Sequence, residues 1–201
     1  LVEVGNYLYG TTASGGSGGA GIVFKVHKTT GARTAVYSFN SNCANGCYPY
    51  GQLLQVGTDL YGTTIQGGSG GYGTVYKIDA IGNLTTLHSF NYSDGASPYG
   101  GLLQVGTDLY GTTNFGGSGG SGTVFKIDTS GGNFLTLHNF NYSDGAYPYA
   151  GLVAVGSDLY GTTSSGASSG AGTVFKIDTS GANFSSLHNF DGTNGCYPAP
   201  G

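Results

Sequence analysis

Three histidines recur in one setting: His88, His138 and His188 each stand in Leu-His-x-Phe. Histidines in such a pattern could ligate a metal or act as general bases. A metal needs ligands that converge on one ion, and one histidine per repeat does not supply them. Each histidine also alternates with a phenylalanine along a strand, so it reads as a hydrogen-bonded structural residue. The carboxylates are periodic too. Asp59, Asp108 and Asp158 follow one turn; Asp79, Asp128 and Asp178 end a strand; Glu3 is the sole glutamate. Acid–base catalysis needs two carboxyls in contrasting environments, whereas aspartates at repeated turns accept backbone N–H bonds. Lys77 and Asp79, Lys126 and Asp128, and Lys176 and Asp178 share a strand face and are expected to interact. Asn91-Tyr-Ser-Asp94-Gly95 is a faint calcium loop that turn chemistry explains better. Gly68-Ser-Gly-Gly-Tyr-Gly73 fits G-x-G-x-x-G, but a strand follows where a nucleotide site needs a helix N-terminus. No catalytic residue, metal or cofactor is therefore expected.

The cysteines depart from the periodicity. Cys47 and Cys196 occupy the same site in the first and last repeats, and Cys43 lies in an insertion. In an oxidising compartment three cysteines suggest one bridge and one leftover thiol. Cys43–Cys47 is the simplest pair; a bridge from Cys43 or Cys47 to Cys196 is the alternative. The tyrosines are the clearest functional signal. Tyr50, Tyr99 and Tyr149 follow a proline, and Tyr48, Tyr147 and Tyr197 precede one. These loops are expected to line one rim, where tyrosine offers a large face and a polar tip to sugars or to a neighbouring subunit.

The elements that carry these residues form a four-fold repeat. Tyr-Gly-Thr-Thr begins at Tyr9, Tyr61, Tyr110 and Tyr160, at spacings of 52, 49 and 50 residues. Each unit reads as four short strands. In the third, these are Leu102 to Val105, Leu109 to Thr113, Thr123 to Asp128 and Phe134 to Phe140, with Gly106-Thr107 suited to a type II′ hairpin. On the last strand, Phe134, His138 and Phe140 are assigned to one face and Leu135 and Leu137 to the other. Both faces are apolar, as in a sheet packed between two others.

Four strands per roughly 50 residues is the period of a propeller blade. The expected fold is all-β: a four-bladed β-propeller in a single repeat domain, 1–201, with repeats at about 1–50, 51–99, 100–149 and 150–201. Gly-Thr-Thr is expected to meet the crowding at the axis. An open repeat array or a β-solenoid is the structural alternative. The tail from Tyr197 to Gly201, followed by the head from Leu1 to Val4, reproduces the segment 147–155. Tail and head thus meet within one ring, meet between neighbours, or belong to a longer array.

Composition excludes other classes. Only 8% of residues are charged, the net charge is −4, and 41 of 201 residues are glycine. Six Lys+Arg are too few for a nucleic-acid surface. Aromatics at 13% argue against a disordered tail, and the clumped glycines against collagen. No apolar run is long enough for a membrane helix. With no Met, the chain reads as processed or excised.

Five linked elements carry a family resemblance: Asp108-Leu-Tyr-Gly-Thr-Thr113, the glycines of 116–120, Gly122-Thr-Val-Phe-Lys-Ile127, Leu137-His-Asn-Phe140 and Asp144-Gly-Ala-Tyr-Pro-Tyr-Ala-Gly-Leu152. They resemble the bacterial GloVer tandem repeat of "choice-of-anchor" surface proteins. The resemblance implies export and attachment to a cell surface, and no established activity. The functional expectation is an extracellular, non-enzymatic structural protein that self-associates, head to tail or stacked, into a filament or surface layer. The alternative is a carbohydrate-binding propeller that takes glycans on its rim tyrosines.

Overall fold

The computed structural model describes residues 1–199; Pro200 and Gly201, part of the tail-to-head match, lie outside the described residues. Each repeat becomes one antiparallel sheet whose strands pair in chain order, and no helix occurs among the described residues. The sheets span 2–40, 54–89, 103–139 and 153–189, and the second gains Cys47–Pro49, from the end of the first repeat, as a fifth strand. In the third, the strands are Leu103–Val105, Asp108–Thr113, Thr123–Asp128 and Leu135–Asn139, within a residue or so of the sequence expectation. Gly106 alone in its turn has positive φ, +64°, as a II′ hairpin requires. These sheets are the four blades of a β-propeller, with the first strands of neighbouring blades approaching one another.

One face assignment needs correcting. Val124 pairs with His138 but Phe125 pairs with Thr136, so a β-bulge skips Leu137. Beyond a bulge the alternation of faces restarts out of phase. Phe134 therefore packs toward the second blade, while Leu137 and Phe140 pack toward the fourth. The same bulge recurs in every blade.

The Tyr-Gly-Thr-Thr motif is an interblade fastener. The Tyr61 hydroxyl donates to the Thr129 carbonyl of the next blade, and Tyr110 to that of Thr179. Gly111 leaves room for a ring: a Cβ there would lie 2.6 Å from the Phe125 side chain. Thr112 donates to the Ala150 carbonyl in the loop between the third and fourth blades. Thr113 and Thr123 hydroxyls bond each other at 2.8 Å between adjacent strands, fully buried. The motif thus works within and between blades, whereas the axis itself is lined by Gly51, Gly100 and Gly151, whose backbones nearly touch. Only backbone can approach backbone so closely. The end of each repeat also latches onto the next blade: Cys47 pairs with Gln66, Ala96 with Phe115, and Ala146 with Ser165.

Three apolar cores result, each shared by two consecutive blades. Among the described residues no such core joins the fourth blade to the first. Leu1 is 69% exposed, where its counterparts Leu53, Leu102 and Leu152 are at 4–8%. Val153, Val155 and Leu187 of the fourth blade are likewise exposed. The blades therefore form an open arc with two uncovered end faces.

One core position is imperfect. Tyr76 stands where the third and fourth blades have Phe125 and Phe175, and its buried hydroxyl has no hydrogen-bond partner. Burial pushes that hydroxyl's pKa up. A buried donor without a partner is a net cost, so Tyr76→Phe is expected to stabilise the fold by about 1 kcal/mol, or roughly 2–4 °C in Tm. Thermal unfolding followed by circular dichroism checks this; a lower Tm would contradict it.

Candidate functional site

The mouth of the axis gathers one set of the residues that the sequence singles out. At the axis, Tyr50, Tyr99 and Tyr149 converge instead of spacing themselves round a rim. Each directly follows its proline in an interblade loop, and the loops meet because their glycines stack. Tyr99 and Tyr149 lie face to face at 4.4 Å, and Tyr50 presents its edge to both, at 5.3 and 6.3 Å. Burial, then the Tyr50 hydroxyl, pushes the Tyr149 pKa up to about 12. The cluster walls a cleft of about 800 Å³ that extends to Val153, Tyr160 and Thr162 on the open side of the fourth blade. Tyr99 and Tyr149 thus spend a face on each other, and Tyr50, at 53% exposure, is the ring most open to a ligand.

Tyr48, Tyr147 and Tyr197 lie apart from this cluster, and all three have left-handed backbone, with φ of 58°, 58° and 52°. Their role is visible at Tyr147. Its amide donates to Ser121 of the third blade, and its carbonyl accepts from Ser164 of the fourth. The Tyr147 ring packs on Phe115. Tyr197 bonds Ala171 of its own blade, and its ring is 65% exposed.

Cys43 and Cys47 form a disulfide with Cα atoms 5.0 Å apart, so the local pairing holds; Cys196 is free and exposed. The bridge from blade one to blade four does not form, since those blades share no interface.

His88 and His138 belong to interblade cores, whereas His188 is exposed on the fourth blade. His88 stacks on Phe134 of the next blade at 3.7 Å and 5°, and His138 on Phe184 at 3.7 Å and 6°. Each imidazole Nε2 donates to an aspartate six residues on, Asp94 at 3.1 Å and Asp144 at 3.0 Å. The Asp94 carboxylate also accepts from the Asn91 amide, so turn and histidine share it. Sequence reasoning missed these pairs; the spacing of His88 and Asp94, repeated at His138 and Asp144, was the available signal. The fourth blade breaks the pattern, with Asn194 in the aspartate's place.

The lysines are corrected as well. Lys77, Lys126 and Lys176 pair across strands with Asp59, Asp108 and Asp158, at 3.6, 3.3 and 3.1 Å. Asp79, Asp128 and Asp178 are occupied by turn amides instead. Asp128 accepts from Ser130, Gly132 and Asn133, which hold its pKa near about 2.

The family model of the Gloeobacter/Verrucomicrobia repeat matches residues 1–201. The chain belongs to this repeat family. No curated protein matches it. Among solved structures it is similar to the nidogen/laminin complex, at 16% identity and TM-score 0.58, covering 84% of this chain and 59% of that one. It is also similar to a europium-containing methanol dehydrogenase, at 14% identity and TM-score 0.59, covering 90% of this chain and 39% of that one. For TolB from Acinetobacter baumannii the values are 17% and 0.54, with 84% and 38% covered. At these identities the likeness is one of fold. The repeat spans about two fifths to three fifths of those chains, so its blades match a part of each.

Burial holds the His88 and His138 pKa values below histidine's ordinary value, against the pull of Asp94 and Asp144. The unfolded chain therefore binds these protons more readily than the folded one. Their stabilisation is complete above the unfolded pKa, about 6.5, and is lost as pH falls below it. Urea midpoints are expected to drop between about pH 7 and pH 5, and to drop less in His138→Phe; a flat profile would refute this.

Proposed function

We propose that this chain is an exported, non-enzymatic structural repeat protein that joins copies of itself head to tail into an extracellular filament or surface layer. One observation carries the reading: its two uncovered ends are the two halves of an interface that the chain itself builds three times. The fourth blade presents Val153, Val155, Tyr160, Val174, Leu187 and Phe190. Their counterparts in the third blade, Leu103, Val105, Tyr110, Val124, Leu137 and Phe140, bury against the fourth. The first blade presents Leu1, Leu8, Phe24 and Val26, counterparts of Leu152, Leu159, Phe175 and Ile177 in that same core. Fully burying one such side chain contributes about 1.5–3 kcal/mol, which supports the joining of the two ends.

The disulfide and the low charge support an oxidising, extracellular setting. The non-enzymatic reading rests on the architectural employment of the periodic histidines and aspartates. A second reading is favoured by the exposed Tyr50 at the mouth of the axial cleft: a glycan could lie there. A glycan array on the parent chain and on Tyr50→Ala tests it; no binding by the parent ends it.

Sedimentation velocity is expected to show concentration-dependent growth of the purified chain. Leu187→Glu is expected to abolish that growth while changing the Tm little, because Leu187 is already 53% exposed in the single chain. A parent that stays a single particle at high concentration refutes assembly.

A further inference from the structure

The end joint differs from the second and third internal joints at a point that involves charge. In the third blade Lys126 pairs with Leu135, in the fourth Lys176 with Ser185, and in the first Lys25 with Thr34. The residue one position earlier is Phe134, Phe184 and Arg33, respectively. The first two are the rings on which His88 and His138 stack. Where His188 seeks its partner, the first blade of the next copy therefore offers a guanidinium. At the same joint the carboxylate that accompanies His88 and His138 is replaced by Asn194.

We propose that Arg33 of one copy stacks on neutral His188 of the preceding copy, and that protonation of His188 opens the joint. This rests on the head-to-tail reading above and names its contact and its control. A planar guanidinium lies well on an uncharged imidazole, as arginine does on aromatic faces. On an imidazolium it meets a like charge with no neutralising carboxylate. The other charged groups near the joint do not supply one. Asp191 accepts from Thr193 and from the Asn194 amide within its own turn. Asp158 is engaged by Lys176 on the same face. On the first blade, Glu3 is engaged by Lys28, and Arg33 has no carboxylate within ion-pair reach among the described residues. Phe24, the remaining neighbour on that face, is uncharged. One further internal bond has a counterpart in the joint: Tyr160 is placed like Tyr61 and Tyr110, which donate to Thr129 and Thr179, and the matching carbonyl is that of Lys28.

Opening of the joint on protonation is expected as a loss of association in acid. Sedimentation velocity at about pH 8 and about pH 5.5 reads it, with circular dichroism confirming the fold at both. The parent is expected to associate at the higher pH and to dissociate at the lower, with Kd rising about tenfold or more. Asn194→Asp restores a carboxylate beside His188 and should retain association at the lower pH. Arg33→Phe rebuilds the internal type of stack and should associate at both. Equal association of the parent at both pH values overturns the Arg33–His188 contact and leaves head-to-tail assembly standing. So does failure of both variants to resist acid. A parent that is monomeric at both pH values refutes the assembly itself, and this proposal with it.

Discussion

Every blade of this protein has two apolar faces, and that constraint shapes the rest. A four-stranded sheet of such composition has no side to give to water, so it is stable only between neighbours. The buried rings Phe125, Phe140 and Phe175 belong to cores shared by two blades each. Stability is accordingly a property of joints. A change at one joint is felt by the two blades that form it.

The conserved spacing of Tyr-Gly-Thr-Thr within the chain follows from that arrangement. Four consecutive positions perform four separate tasks: a hydroxyl to the next blade, space for a ring, a hydroxyl to the interblade loop, and a buried hydroxyl pair within the sheet. None can be moved by one place, because a strand sends alternate residues to opposite faces. The first blade shows what happens when one task lapses. Ile22 replaces the partner threonine there, and Thr12 keeps only its bond to the Ser14 carbonyl, the counterpart of the bond from Thr113 to the Phe115 carbonyl.

Much of this was legible in the residues. The turn glycines and the alternation within Thr123–Asp128 delimit the strands, and the four-fold register forces a blade-like unit. The Cys43–Cys47 bridge follows from proximity in sequence. Other features depend on what lies across space. Phe134 lies on the face opposite to the one that simple alternation gives it, because a one-residue bulge leaves no mark in composition. Lys126 and Asp128 are neighbours on one strand, but the turn amides claim Asp128 and leave Asp108 for the lysine. The gathering of Tyr50, Tyr99 and Tyr149 depends on how closely the axial glycines stack. Whether four blades close a circle depends on the wedge angle set by side-chain volumes at each joint, which no count of repeats contains.

The two ends of the arc are unlike. One carries Leu1, Phe24 and Arg33; the other carries Val155, Leu187 and His188. A contact that joins one end to the other is therefore heterologous, unlike a two-fold contact of an end with its own copy. Such a contact has a direction. A row of copies would show one kind of blade at its leading tip and another at its trailing tip, and the rotation per copy would decide between a ring and an endless helix.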